Sequence, residues 1–300
     1  MNTLRAVVLS ALAFALVGPI AGPAEAGSIL YATGTRVGPG TGPGGLYQVD
    51  PTTGSATLLF ELSGFVHGGG LVYDPTTDLL YATGYNDLSQ SGLWSINRFT
   101  GVQTFIGLTG ASLDQWGLTI DPVTGAMYAT GDNQKQSTAF YTVDKGTGAA
   151  TFVGQATGQF TRLYGLGFGP GGVLYANGFD DPSQAATLFT VDPATGATSV
   201  VGLTGVTLGR RTSFSGLALR SDGVLLSLGS IDASAVGGLY SMNTLTGVAT
   251  LIGSTTLPFG VDGGLAFAPD RAETPVPEPA SLGLLACGLV GGFILRRKHT

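Results

Sequence analysis

Cysteine is almost missing from this chain of 300 residues: a single one, Cys287, lies near the C-terminus, and none falls within 28–270. No disulfide can cross-link that stretch, so its stability has to come from packing and from closure of its own sheets. Histidine is nearly as scarce. His67 is the one histidine of the 28–270 body, which excludes an imidazole cluster for a metal ion and any relay needing several histidines. Charge is thin, at 11% of residues, and basic charge is thinnest. Residues 28–270 hold 8 Lys and Arg against 16 Asp and Glu, a net of −8. A binder of phosphate backbones needs a clustered basic face, so nucleic acid is not an expected partner. Long apolar runs are lacking too. The two present, 6–17 and 281–295, fall short of the ~20 residues that span a bilayer. No GxSxG nucleophile elbow occurs. Gly68-Gly69-Gly70 leads into a strand and not a helix, which removes a phosphate-loop reading.

What the chain has is glycine, 50 residues of it, and a repeat. Internal self-similarity at a fixed period precedes any residue-level reading. The stretch 165–202 holds four short segments, GLGFG, VLYANG, TLFTVD and ATSVVG, each β-branched or aromatic and bounded by turn formers. The first recurs at Leu71, Leu118, Leu166, Leu217 and Leu265, at spacings of 47, 48, 51 and 48. The second is LYATG at Leu30 and Leu80, MYATG at Met127, LYANG at Leu174 and LLSLG at Leu225. The third begins at Leu46, Leu93, Phe140, Leu188 and Leu239, and the fourth reads ATLLF, QTFIG, ATFVG, TSVVG and ATLIG. Five copies of a four-stranded unit predict an all-β fold, a five-bladed β-propeller. An open β-solenoid and a β-sandwich are its rivals. The chain enters at a second-type strand, 29–34, and leaves after a fifth first-type strand, 264–268. The last strand can then complete the blade that the first began, a split-blade closure that removes an open edge.

The two ends read differently. Arg5, the apolar run 6–17 and the small-x-small site Ala24-Glu25-Ala26 predict a cleaved signal peptide over 1–26, with signal peptidase as its partner. The predicted propeller occupies 28–270, and 271–280 is an extended linker of Pro and charge. The apolar run then ends in Arg296-Arg297-Lys298, and a basic stop places the tail 281–300 in the cytoplasm and the body outside. These parts, Val276-Pro277-Glu278-Pro279-Ala280-Ser281, a short apolar helix and Arg296-Arg297-Lys298, closely resemble the PEP-CTERM sorting signal. The resemblance covers only the C-terminal tail. It implies recognition by an exosortase in the inner membrane of a Gram-negative bacterium, with transient anchoring there by a short transmembrane helix. It also implies cleavage near Pro277-Glu278-Pro279 and delivery to the cell surface or an exopolysaccharide matrix. Glu278 is then a processing residue, and Cys287 leaves with the tail. More loosely, the units at 46–59 and 188–201 resemble secreted bacterial proteins with repeated LYxVDPxTGxATxVG segments, a likeness that carries a fold and no chemistry.

The commonest acidic motif, Asp-Pro-x-Thr-Gly at 50–54, 121–125 and 192–196 with a variant at 74–78, is read as turn chemistry. Asp accepts backbone N–H bonds, Pro sets φ, and Gly supplies a positive φ. The acidic loops do not match a calcium loop of about twelve residues, so no cofactor and no metal ligands are expected, and Ca²⁺ has no support. On the opposite rim the connections 35–45, 85–92, 132–139, 179–186 and 230–238 diverge, which marks that rim as the working surface. Its polar residues are Arg36, Asn86, Asp87, Asp132, Asn133, Lys135, Asp180, Asp181 and Asp232. Alignment of the copies puts His67, Asp114, Arg162, Ser213 and Asp262 at the mouth of the central channel, with Trp116 and Tyr164 two residues nearer the strands. Polar groups with two aromatic rings suit a small polar or sugar ligand. The plainer reading is that they cap and solvate the channel.

No catalytic set is expected. The inner strands carry no acid, and Asp114 and Asp262 are the only carboxylates placed for the paired mechanism of a glycosidase. A Ser-His-Asp set through His67 stays open. The sequence therefore predicts an exported, exosortase-sorted, non-catalytic binding or structural propeller with exopolysaccharide as a partner. Its alternatives are a carbohydrate-active or lactone-cleaving enzyme at the channel mouth and a matrix filler without a specific ligand.

Overall fold

The repeat folds as its composition dictates, short β-branched and aromatic segments forming strands and the Asx- and Gly-rich gaps forming turns. The computed structural model describes residues 27–36, 42–63, 68–86, 88–113, 117–132, 138–157, 162–180, 185–206, 215–230, 237–255 and 263–270. Ser28–Asp270 form one unit. The predicted signal peptide, linker and sorting helix lie outside the described residues. Among the described residues no helix is long and apolar enough to cross a membrane.

In chain order the strands are β1 (Ser28–Arg36), β2 (Gly42–Val49), β3 (Ala56–Leu62), β4 (Gly68–Asp74), β5 (Leu79–Tyr85), β6 (Ser91–Ile96) and β7 (Gln103–Leu108). Then come β8 (Leu118–Ile120), β9 (Met127–Asp132), β10 (Thr138–Val143), β11 (Ala150–Gln155), β12 (Arg162–Phe168), β13 (Leu174–Asp180), β14 (Ala185–Val191) and β15 (Thr198–Leu203). The last are β16 (Ser215–Leu219), β17 (Leu225–Ser230), β18 (Gly237–Met242), β19 (Ala249–Ser254) and β20 (Leu265–Pro269). They form five four-stranded antiparallel sheets. Blade I is β20-β1-β2-β3, and blades II to V take the remaining strands four at a time in chain order. This is the five-bladed propeller read from the repeat, closed through a split blade. Ser28 pairs with Pro269 and Ala32 with Leu265 across the closure.

The core lies between blades, which is why both faces of most strands are apolar. One cluster joins Leu71, Leu80 and Trp94 of blade II to Tyr31, Leu46 and Ala266 of blade I. Another joins Leu226 and Leu239 of blade V to Leu30 and Leu265 of blade I. At the axis the backbones touch: Gly70 abuts Leu118, Gly117 abuts Leu166, Gly167 abuts Leu217, Gly216 abuts Leu265 and Gly264 abuts Leu71, with no room for a Cβ. The five inner strands thus meet in a closed neck of touching backbones. Below this neck, toward the rim of stereotyped turns, an apolar cavity of ≈ 410 Å³ lies between 71–73, 118–120, 217–219 and 265–267.

A buried polar side chain sits beside each inner strand: Thr33, Thr83, Thr130, Asn177 and Ser227 are at most 1% exposed. The hydroxyls of Thr33, Thr83 and Thr130 accept the N–H of Gly264, Gly70 and Gly117 at 2.9, 3.1 and 2.8 Å. Asn177 Oδ1 accepts Gly165 N–H at 2.7 Å, while its Nδ2 donates to Ser227 Oγ at 2.8 Å. The three threonines and Asn177 thereby satisfy inner-strand N–H groups that the ladder leaves over, while Ser227 Oγ donates to Ser215 C=O at 3.2 Å.

Between outer strands the blades touch through glycine. Gly107 faces Gly148, Gly154 faces Gly196, Gly202 faces Gly247 and Gly253 faces Gly54. At the I–II junction Phe60 stands in the strand position and packs on Gly101. The turn glycine of each pair has φ between 71 and 80°, so it serves the turn and the close approach together.

The same rim carries charged clasps. Lys145 of blade III donates to the buried Asp74 of blade II at 2.7 Å. Arg220 of blade V pairs with Asp222 at 2.8 Å and reaches Pro51 C=O of blade I at 3.4 Å. Arg98 of blade II, with a side chain only 4% exposed, pairs with Asp78 at 2.9 Å. It also donates to Pro269 C=O at 2.6 Å and lies over the Phe99 ring, 4.1 Å from its centroid. Stereotyped turns are thus the surfaces through which blades hold each other.

Candidate functional site

The carboxylates of Asp50, Asp121 and Asp192, and of Asp144 in the equivalent turn of blade III, are spent on their own turns. Asp50 Oδ1 accepts the N–H groups of Thr52 and Thr53 at 2.7 and 3.3 Å and the Thr52 hydroxyl at 2.6 Å. The Thr52 hydroxyl, followed by the Thr52 N–H, holds this carboxyl down at about 2 against an ordinary 3.8. The Thr147 N–H and hydroxyl lower Asp144, and the Thr195 hydroxyl and Ala194 N–H lower Asp192. Burial works against Asp121, yet the Val123 N–H and the Thr124 contacts leave it lowered. Blades II and V put Asn97 and Asn243 in the same place with the same backbone bonds. A neutral amide doing the same work argues for turn chemistry and against metal binding. Among the described residues no group of three or more His, Cys, Asp and Glu is placed to hold a metal ion.

The rim of divergent loops carries a different feature, a groove of ≈ 780 Å³ between blades II and III. One wall is the connection that follows β5, with Tyr85, Ser89, Gln90 and Ser91. Asn86 folds that loop. Its Oδ1 accepts Leu88 N–H and Gln90 N–H at 3.0 and 2.9 Å, and its Nδ2 donates to Gln90 Oε1 at 3.1 Å. Ser89 is held at φ 57°, in the left-handed region that few non-glycine residues adopt. The second wall, Gly110–Ala111–Ser112, is tied to the first through Ser91. Ser91 C=O accepts Thr109 N–H at 3.0 Å, and Ser91 Oγ accepts Leu113 N–H at 3.0 Å. The floor is Leu108 of blade II with Tyr141, Ala150 and Phe152 of blade III, and Ala150 N–H bonds Thr109 C=O at 2.9 Å across the junction. Tyr141 is buried, whereas Phe152 is 56% exposed and stands edge-on to it, 5.9 Å between centroids at 75°. Among the described residues lining the groove there is no carboxylate, imidazole, lysine or arginine.

Of the residues predicted for the channel mouth, Arg162 and Tyr164 are described. Both lie on β12, Arg162 exposed and Tyr164 half-buried, with its ring edge-on to Phe179 at 5.7 Å and 85°. Tyr164 is the residue skipped in the β12–β13 register. Neither lines the groove. His67, Asp114, Trp116, Ser213 and Asp262 lie outside the described residues, as do Ala24 and Ala26, Pro277, Glu278 and Pro279, and Arg296, Arg297 and Lys298. Of the polar residues predicted on the divergent rim, Asn86 is the one whose side chain is described, and it builds the groove wall. The floor escaped sequence reading, because Tyr141 and Phe152 look like ordinary strand residues of the repeat.

Residues 275–298 match the PEP-CTERM protein-sorting motif. The chain thus ends in the sorting signal that its tail resembles, and that signal marks an exported protein, sorted by an exosortase to the cell surface. No curated protein matches the sequence. Among solved structures the chain is similar to TolB from Acinetobacter baumannii, at 16% identity and a TM-score of 0.47, over 76% of this chain and 52% of that one. It therefore spans about half the length of TolB. A putative 6-phosphogluconolactonase from Bacteroides fragilis is similar at 10% identity and 0.44, over 80% and 98% of the two chains. An exo-β-1,3-galactanase from Phanerochaete chrysosporium, solved with β-1,3-galactotriose, is similar at 12% identity and 0.50, over 73% and 61%. At such identities the likeness is one of fold.

Proposed function

We propose that this chain is a non-catalytic carbohydrate-binding propeller of the bacterial surface, with the groove between blades II and III as its binding face. The observation that carries the reading is the lining of that groove. Aromatic rings beside serine and glutamine can stack on and hydrogen-bond a sugar. Glycoside cleavage works through paired carboxylates, and a serine nucleophile through a neighbouring base; the described lining offers tyrosine and serine hydroxyls but no carboxylate, imidazole or lysine. Export would begin with removal of 1–26 and end with cleavage near Pro277-Glu278-Pro279 in a Gram-negative envelope. Release into the exopolysaccharide matrix would follow.

The test is incubation of the full chain with the exopolysaccharide of the producing cell, recording both retention on the polymer and release of reducing ends. Retention without release is expected. Release that disappears in Asp114→Asn or Asp262→Asn would replace the binding module with an enzyme at the channel mouth. Neither retention nor release would leave a matrix filler.

A further inference from the structure

We infer that the groove between blades II and III selects a neutral glycan over an acidic one, an inference that rests on its being a carbohydrate site. Three observations point the same way. Among the described residues the lining offers no cation to pair with a carboxylate or sulfate group, and the 28–270 body carries a net of −8, which repels a polyanion. The exposed Phe152 ring is the kind of face on which the C–H surface of an uncharged pyranose stacks. Ser89, Gln90 and Ser91 supply hydroxyl and amide groups, both donors and acceptors, which match sugar hydroxyls.

The site is built in advance of its ligand. Asn86 orients the Gln90 amide and holds Ser89 in its left-handed conformation, and Ser91 locks the opposite wall through Leu113. A wall ordered before binding loses little freedom on binding. The residues that form its floor also differ from their counterparts at the other junctions. The outer strands carry Ala56 with Leu58, Gln103 with Phe105, Ala150 with Phe152, Thr198 with Val200 and Ala249 with Leu251. Only blade III joins a small residue to an aromatic ring. At the III–IV junction Thr198 fills the gap instead, exchanging hydrogen bonds with Thr157 at 3.0 and 3.1 Å. The volume, ≈ 780 Å³, falls in the ligand-site range of about 300–1,000 Å³.

The experiment is affinity electrophoresis of the full chain against laminarin and dextran, which are neutral, and alginate, which is acidic, at low and high salt. The expected result is retardation by a neutral polymer, unchanged by salt. Phe152→Leu should weaken it about tenfold, the scale of one stacked ring, and Gln90→Ala should weaken it too. Leucine already occupies the equivalent position in blades I and V, so Phe152→Leu keeps the fold, and an unchanged Tm checks this. Preferential, salt-sensitive binding of alginate that Phe152→Leu weakens would overturn neutrality and leave the carbohydrate site standing. Binding that both variants leave intact, or no binding of any polymer, would overturn the site itself.

Discussion

Asp50, Asp144 and Asp192, with Asn97 and Asn243 at the same position in the other blades, show what a single residue contributes to this repeat. Each accepts backbone N–H groups that the turn would otherwise leave unpaired. Only the aspartates add a pH dependence. Their carboxyls are lowered in the folded state, so the unfolded chain binds more protons as acid is added. The stability they add is complete above the unfolded value of 3.8 and is lost as pH falls through the lowered folded values, which for Asp50 is about 2. A triple variant, Asp50→Asn, Asp144→Asn and Asp192→Asn, should melt like the parent at pH 7 and lose less Tm than the parent over that acid range. Equal losses in calorimetry at both ends would mean that the turn carboxylates play no part in acid stability.

At the scale of the element, the LYATG strand couples two jobs in five residues. Its leucine and alanine fill the inter-blade core, and its threonine turns back to satisfy the inner strand. Thr130→Val keeps the volume and removes the acceptor, leaving the Gly117 N–H unpaired in a buried place. The expected loss is about 1–3 kcal/mol, with faster hydrogen exchange at Gly117, and Thr130→Ser should recover most of it. A Val variant as stable as the parent in urea would show that the N–H finds another partner. The outermost strands show a second element-level device. Register slips opposite every one of them, as at Leu93/Trp94 and Leu188/Phe189, and a bulge on an exposed edge discourages pairing with another chain.

For the whole molecule, stability depends on the ring being closed. Five blades without disulfides share their cores with neighbours, so an open junction exposes two apolar faces together. The I–II junction is secured by Arg98, which joins Asp78 of its own blade to Pro269 at the end of β20 and is hydrogen-bonded to Tyr31 on β1. Arg98→Met retains the apolar stem and removes the charged bonds. It should lower stability by about 2–3 kcal/mol, the scale of hydrogen bonds to a charged group, with faster exchange concentrated in β1 and β20. Loss spread evenly over all blades would mean that the clasp is not specific to the closure.

Much of this could be read from the sequence, because a repeat reports its own geometry. The spacing of the leucines, the turn formers and the phase of the first and last strands determine the blade number and the split-blade closure. The turns of Asp50, Asp144 and Asp192 follow from local chemistry alone, since their carboxylates reach no further than three residues. The tail, too, is legible as a linear motif. Only the tertiary structure brought Ser89 and Gln90 of one blade over Phe152 of the next, with Asn86 fixing the wall between them. It also decided that Arg98 and Lys145 clasp neighbouring blades. Those contacts depend on how two repeats meet, and a repeat's sequence describes one unit, not the face it shares with the next.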